Sequence, residues 1–198
     1  MVAKKTYQKI VFALLVLILV IPLTVQAAPS EPTNLTQEEI NQKLKEIGDK
    51  YKVGEFLSDE DADFVRRYAL KPQDPGTITP FKTGNFEGFY GAVELTGYVS
   101  VDIGIINNSI QGNIITRDSN KTYHKSMGSI VELRAFGVFG EGGTKIGLVY
   151  SRDYQNIQDN VNYVKNSFSD NFVASVAYWT VDVRGFVDGS TFSASTID

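Results

Sequence analysis

Three hydrophobic patterns follow one another along this chain. Residues 10–25 form an apolar run that is interrupted only by Pro22 and Thr24. Between residues 36 and 70, apolar residues recur every three or four positions, which is the spacing of one helix face. Beyond residue 80, apolar and polar residues alternate, as they do in strands that bury one face. The patterns therefore predict an apolar leader, a pair of helices and a β-rich remainder.

The two helices are predicted over residues 36–52 and 59–70. Thr36 and Glu39 have the spacing of a capping box, in which each side chain accepts a hydrogen bond from the other residue's backbone N–H. Acidic residues after Ser58 favour the positive end of the second helix. The first helix has one apolar face, formed by Ile40, Leu44, Ile47 and Tyr51. We expect a helical hairpin, followed by a Pro-rich connector.

Residues 81–198 contain no proline but 14 of the 17 glycines, with many Val, Ile, Tyr and Thr residues. This composition suits strands and tight turns. Alternation is clearest over residues 92–106, and Asn107 and Asn108 favour a turn after it. Residues 140–143 predict a hairpin turn, and residues 172–187 predict one long strand. A short surface helix is expected where four apolar residues have helical spacing: Ile157, Val161, Val164 and Phe168.

Many strands separated by turns, without regular intervening helices, indicate a mainly antiparallel fold. We therefore predict an antiparallel β-sandwich, or a barrel-like variant of it, over residues 81–198. An N-terminal helical hairpin and its connector precede it over residues 28–80. The hairpin either packs against the sheets or is a separate appendage, and as a pro-segment it would be removed.

The leader over residues 1–27 has the order of features found in a cleaved secretory signal peptide. Lys4, Lys5 and Lys9 precede the apolar run, and small residues end it, which predicts cleavage between Ala27 and Ala28. The run is shorter than the roughly 20 apolar residues that a membrane-spanning helix needs. We expect a secreted, bacterial protein that keeps no stable membrane anchor after cleavage.

Composition excludes several classes of partner. Removing residues 1–27 leaves 171 residues with 16 basic and 23 acidic side chains, a net charge of −7. Nucleic acid is therefore an unsuitable partner, because its affinity depends on Lys and Arg side chains that neutralise phosphates. The same charge opposes attraction to anionic lipid headgroups. The chain has no cysteine, so thiol nucleophiles and cysteine metal sites are excluded.

Catalytic candidates are few. His124 is the only histidine, and its position after a polar turn suggests an exposed surface side chain more than a catalytic base. A pair of carboxylates can hydrolyse glycosides when their separation is suitable. Six acidic residues lie on or beside predicted strands: Glu87, Glu94, Asp102, Glu132, Asp182 and Asp188. Such carboxylates more often lie on the surface or pair with arginines, here Arg134 and Arg184, so we assign no catalytic and no metal-binding residue.

The aromatic residues of the β region offer a binding surface. If Trp179 points inward with Val181 and Val183, the opposite face of this strand carries Tyr178, Thr180, Asp182 and Arg184. Aromatic and polar side chains on one face suit an extracellular protein or carbohydrate ligand. These four residues are therefore the candidate ligand-binding site, although helices that cover this face would hide it.

The leading functional hypothesis is a secreted, non-enzymatic binding or interaction module without a cofactor. The first alternative is a secreted membrane-active toxin or bacteriocin-like factor, since alternating strands also occur in transmembrane hairpins. The second alternative is a secreted hydrolase that uses a carboxylate pair.

Overall fold

The computed structural model describes residues 35–71 and 82–197. The predicted signal peptide, with its cleavage site at Ala27 and Ala28, lies outside the described residues, and so does most of the Pro-rich connector. Residues from Leu35 onward form one compact unit.

Two helices open the described chain, as predicted. Helix α1 spans Gln37–Lys50 and helix α2 spans Asp59–Tyr68. The predicted capping box is present, since Thr36 and Glu39 exchange side-chain-to-backbone hydrogen bonds. Ser58 caps α2 by accepting a hydrogen bond from the Asp61 backbone N–H.

No helix among residues 35–71 and 82–197 is long and apolar enough to cross a membrane.

Within the described residues, nine strands form two antiparallel sheets. One sheet has the order β6-β3-β2-β1-β9 and the other has the order β5-β4-β7-β8. The strand bounds are β1 Lys82–Tyr90, β2 Val93–Ile103, β3 Asn107–Asp118, β4 His124–Phe139, β5 Lys145–Val161, β6 Tyr163–Val173, β7 Tyr178–Val187, β8 Ser190–Ser193 and β9 Ser195–Ile197. The prediction of a mainly antiparallel, sandwich-like fold behind a helical hairpin is confirmed.

The two sheets are joined at both lateral edges by single residues. Asn162 separates β5 of one sheet from β6 of the other, and Ala194 separates β8 from β9 in the same way. The backbone N–H of Ala194 donates to the Val183 carbonyl, and the Asn162 carbonyl accepts from the Asp118 N–H. The chain therefore passes from one sheet to the other within a single residue at each lateral edge.

Two hydrophobic cores share strand β4. The larger core lies between the sheets, and Val131, Leu133 and Ala135 reach it from β4. The smaller core lies under the helices, where Ile47 and Val65 pack with Phe136. Because successive residues of a strand point to opposite faces, β4 is buried on both sides. The helical hairpin therefore packs on the outer face of the four-stranded sheet.

A β-bulge lets strand β5 serve both cores. Ala135 pairs with Tyr150 and Phe136 pairs with Leu148, so Val149 is an extra residue in the ladder. Before the bulge, Leu148 packs under the helices; after it, Tyr150 turns toward the core between the sheets. A bulge of one residue reverses the faces of a strand, which explains why two even-numbered residues face opposite ways.

Three local predictions differ from the structure. The helix expected around residues 157–168 is wrong, because strands β5 and β6 occupy this stretch and meet at Asn162. Apolar residues four apart also share a face of a strand, so the spacing does not identify a helix. The long strand expected over residues 172–187 is interrupted between Val173 and Tyr178, where the chain crosses from one sheet to the other.

The turn expected at Asn107 and Asn108 lies instead at residues 104–106, because both asparagines begin β3. The predicted hairpin turn at residues 140–143 is confirmed.

Gly48 provides a test of the contact between helix and sheet. A Cβ atom at this position would lie 2.7 Å from Cγ of Arg134, whose side chain is buried against α1. Alanine normally stabilises a helix interior by about 0.5–1 kcal/mol relative to glycine. We expect Gly48→Ala to lower the free energy of unfolding instead, by about 1–3 kcal/mol, because of overpacking. The measurement is urea unfolding, in which the midpoint concentration gives the difference when the slope of free energy against urea is unchanged.

Gln42→Ala is the matched control, because Gln42 is exposed on the same helix. Its effect should stay within a few tenths of a kcal/mol, on the order of other surface substitutions. A more stable Gly48→Ala protein would contradict the packing of Arg134 described above.

Candidate functional site

A cleft opens where the edges of the two sheets face the helical hairpin. Strand β7 pairs with β4 along its whole length, but β8 covers only its last four residues, from Arg184 onward. Strand β9 covers only Asn85–Glu87 of β1. The two short strands leave an opening of about 550 Å³ between β1, β7 and α1.

The lining of the cleft combines an apolar floor with a polar rim. Leu44 of α1 lines one wall, and the floor reaches into the core between the sheets and contains Phe86, Val99, Val101, Trp179 and Val183. The rim carries hydrogen-bonding side chains: Gln37, Asn41, Asn85, Thr180 and Asp182. An apolar concavity with a few polar groups around it is the usual form of a small-molecule site.

The four predicted ligand-binding residues lie on the outer face of β7, but in different surroundings. Trp179 and Val183 are buried on the inner face, as predicted. Tyr178 packs beside the helix core, and the Lys71 ammonium lies 5.7 Å from its ring centre. Thr180 and Asp182 line the cleft. Arg184 lies farther along, in a polar groove of about 1060 Å³ between α1 and β8.

A network of charges lies between Asp182, Arg184 and helix α1. Arg184 forms ion pairs with Glu132 and Asp182, and the Lys45 ammonium lies 3.7 Å from the Glu132 carboxylate. Burial raises the pKa of Glu132 and of Asp182, although the nearby cations act in the opposite direction. Helix α1 therefore contributes Lys45 to these charges, while Thr180, Asp182 and Arg184 on the outer face of β7 are half-buried.

One pair of the predicted carboxylates is brought together. Glu132 and Asp182 are directly opposite each other on β4 and β7. Glu132 is 7% exposed and is bridged by arginine and lysine, so this carboxylate is held by cations rather than presented to a substrate. Of the other four candidates, Glu94 pairs with Arg117 and Asp188 pairs with His124. Glu87 lies opposite Thr96, and Asp102 lies opposite Ser109.

His124 links the two sheets at the end opposite the β4–β5 turn. Its Nε2 lies 3.0 Å from Asp118 Oδ2 at the end of β3, and its Nδ1 lies 2.9 Å from Asp188 Oδ2 after β7. Its side chain is 16% exposed, so the expected exposed surface position is wrong. The two hydrogen bonds raise the pKa of His124 and lower the pKa of each aspartate. Both ring nitrogens donate when the imidazole is protonated, so this cluster favours the charged form.

The cluster of His124, Asp118 and Asp188 is not arranged for a metal ion. The two carboxylates bind opposite nitrogens of the ring, so their oxygens do not converge on one point. In the described part of the chain, no three acidic or histidine side chains form a group that could hold a metal.

The pairing of Glu132 and Asp182 with Arg184 agrees with the expected pairing of strand carboxylates with arginines, whereas other ion-pair partners lie too far apart in the chain to be predicted. Asp188 is 64 residues from His124, and Asp49 is 85 residues from Arg134. The cleft was also missed, because it depends on the lengths of β8 and β9. The only available signal was the run of small polar residues after Val187, which indicates short terminal strands.

Comparisons with protein-family models, with curated proteins and with solved structures find no match to this chain.

The His124 cluster predicts a pH dependence of stability. The raised pKa of His124 adds stability below its unfolded value of about 6.5, and this is lost as the pH rises through the higher folded value. The lowered pKa values of Asp118 and Asp188 add stability above about pH 3.9, the unfolded value, and this stability is lost as the pH falls through the lower folded values. We expect the Tm of wild type to exceed the Tm of His124→Gln by the largest amount between about pH 4 and pH 6.5.

Melting both proteins in a buffer series from low to high pH measures this difference. Lys125→Gln, which removes a neighbouring exposed charge from the same strand, is the control and should follow wild type across the series. A Tm difference for His124→Gln that is constant with pH would show that the cluster does not hold a charged imidazole.

Proposed function

We propose that the mature chain is a secreted, non-enzymatic binding module whose ligand occupies the cleft between α1, β1 and β7. The cleft itself carries the proposal, because its rim contains the predicted residues Thr180 and Asp182 above an apolar floor. The signal peptide predicted over residues 1–27 supports the extracellular location.

The lining favours an amphipathic ligand. An apolar group would cover Phe86 and Val99 on the floor, while polar groups would bond to Asn41 and Asp182 at the rim. Trp179 is only 4% exposed, so it does not offer the open ring face on which sugars stack. A small amphipathic molecule, or an apolar side chain of a protein partner, therefore fits the cleft better than a carbohydrate.

In this proposal, the protein that binds the ligand still contains the helical hairpin. Helix α1 supplies Gln37, Asn41 and Leu44 to the cleft. Its removal would also expose Phe136 of β4, which is fully buried. We expect the hairpin to stay in the mature protein, because uncovering that apolar surface would cost stability.

The hydrolase alternative is weaker. Glu132 and Asp182 are adjacent, but Arg184 pairs with both carboxylates and Glu132 is buried. A general acid needs contact with the leaving group, which this arrangement does not offer.

Secretion is tested by expressing the full chain in a bacterial secretion host and measuring the intact mass in the medium. We expect the mass of residues 28–198, because signal peptidase recognises a small residue such as Ala27 before the cleaved bond. Ala27→Tyr is the control and should remain cell-associated, since a large residue blocks the site. A product that starts near residue 81 would instead identify the hairpin as a pro-segment.

Binding is tested through Trp179, the only tryptophan of the chain. The neutral fluorescent probe N-phenyl-1-naphthylamine is titrated against residues 28–198. We expect saturable quenching of the tryptophan emission, because the probe would enter the cleft beside Trp179. Thr180→Phe narrows the cleft and should weaken binding at least tenfold.

The matched control is Thr122→Phe, because Thr122 is exposed and outside the cleft. It should bind the probe as wild type does. Unchanged tryptophan emission with wild type, or equal binding by Thr180→Phe, would rule out the cleft as the binding site.

A further inference from the structure

One end of the sandwich presents apolar side chains to solvent. Ile105 is 88% exposed and Ile106 is 52% exposed in the turn between β2 and β3. Val173, at the end of β6, is 76% exposed and lies beside this turn, because Asn107 pairs with Val173. Three large aliphatic side chains therefore project together from loop tips.

A buried asparagine holds these loops in place. The Asn108 side chain, 4% exposed, places its Nδ2 2.9 Å from the Ala174 carbonyl and 3.1 Å from the Ile106 carbonyl. The Ala174 N–H donates to the same Ile106 carbonyl at 2.9 Å. Hydrogen bonds from a buried amide fix both loops relative to each other. Ile105 and Val173 are thus exposed on loops that hydrogen bonds hold in place.

The same loops carry no charge. Residues 104–108 and 172–177 contain neither acidic nor basic side chains, although charged residues make up 21% of the chain. Exposed loop tips of secreted proteins normally carry polar residues, and contiguous apolar patches mark interaction sites.

A second apolar group lies at this end of the sandwich. Phe56, between the helices, contacts Phe139 edge to face with ring centres 5.5 Å apart, and both are partly exposed. The loop after β6 adjoins this group, because the Ala177 N–H donates to the Phe136 carbonyl. The Lys145 ammonium lies 5.3 Å from the Phe56 ring centre. We name these residues, with Ile105, Ile106 and Val173, the apolar end.

We propose that the apolar end docks on the surface of a phospholipid bilayer, with its loop tips at the boundary between headgroups and acyl chains. Protein interfaces concentrate aromatic and arginine side chains on a broad patch, whereas the two most exposed side chains of the apolar end, Ile105 and Val173, are aliphatic and lie on loops without charge. Lysines beside such tips extend their ammonium groups to lipid phosphates while the apolar side chains insert. Lys145 has this position next to Phe56.

Zwitterionic lipid is the surface that fits. The net charge of −7 after residue 27 opposes an anionic membrane, so apolar burial has to drive the contact. This inference goes beyond the cleft and is independent of it, since Thr180 and Asp182 take no part.

The test is co-sedimentation of residues 28–198 with sucrose-loaded phosphatidylcholine vesicles. The leader is omitted because its own apolar run would bind lipid. We expect wild type to sediment with the vesicles and the double variant Ile105→Ser/Ile106→Ser to bind at least tenfold more weakly. The control is Tyr123→Ser/Tyr163→Ser, which removes two exposed aromatic rings from the opposite end and should bind as wild type.

A labelled variant gives a second readout that does not depend on weakened binding. The chain has no cysteine, so Ile105→Cys and Tyr123→Cys each accept one environment-sensitive nitrobenzoxadiazole label. We expect the label at position 105 to gain fluorescence and shift to the blue with vesicles, and the label at position 123 to stay unchanged.

Several results would overturn the proposal. One is the absence of wild type from the vesicle pellet, and another is equal pelleting of the Ile105→Ser/Ile106→Ser variant. A label at position 105 that does not respond to vesicles would also overturn it. A dimer in lipid-free light scattering that the double variant loses would assign the apolar end to self-association instead.

Discussion

Arg134 ties the helical hairpin to the β-sandwich. Its guanidinium is buried between α1 and β4 and bonds to Asp153 of β5 at 2.6 Å and to Asp49 of α1 at 3.2 Å. A buried charge is costly when it is left unpaired, and Arg134 avoids this through both carboxylates together with Glu132, whose Oε2 lies 3.7 Å away. Gly48 leaves the space for this side chain. Because α1, β4 and β5 all contact this one cation, the position of α1 on the sheet is defined. This places Ile47 against Phe136 in the apolar core under the helices.

The cleft depends on this placement of α1. The helix provides one wall, through Asn41 and Leu44, while the sheets provide the floor. A ligand in the cleft would therefore contact both the helix and the sheets. Any molecule that binds the folded state alone also stabilises it, by about 2.7 kcal/mol at a concentration of one hundred times Kd. Ligand binding and docking of the hairpin are thus coupled by thermodynamics.

Local patterns predicted the parts of the fold that local interactions determine. The Thr36 capping box and the inward orientation of Trp179 depend on neighbouring residues only, and both are present. The stretch around Asn162 has an apolar spacing that fits a helix and a strand equally well, and the tertiary pairing of β3 with β6 decides between them. The bulge at Val149 left no sequence signal. The partners of His124 and the opening of the cleft arise from contacts between distant segments, which no local pattern encodes.

Strand β2 connects the two proposed surfaces. Val99 and Val101 form part of the cleft floor, and the same strand continues through Ile103 to the exposed turn at Ile105. At the rise of about 3.3 Å per residue of a strand, Val101 and Ile105 are at most roughly 13 Å apart, because the chain turns after Ile103. A molecule released from the outer leaflet beside the apolar end would therefore start close to the cleft. An amphipathic ligand, with its apolar group on the floor and its polar group at the rim, has the chemistry that a bilayer surface concentrates. The two proposals rest on different residues, yet together they favour a ligand that comes from the membrane rather than from the medium.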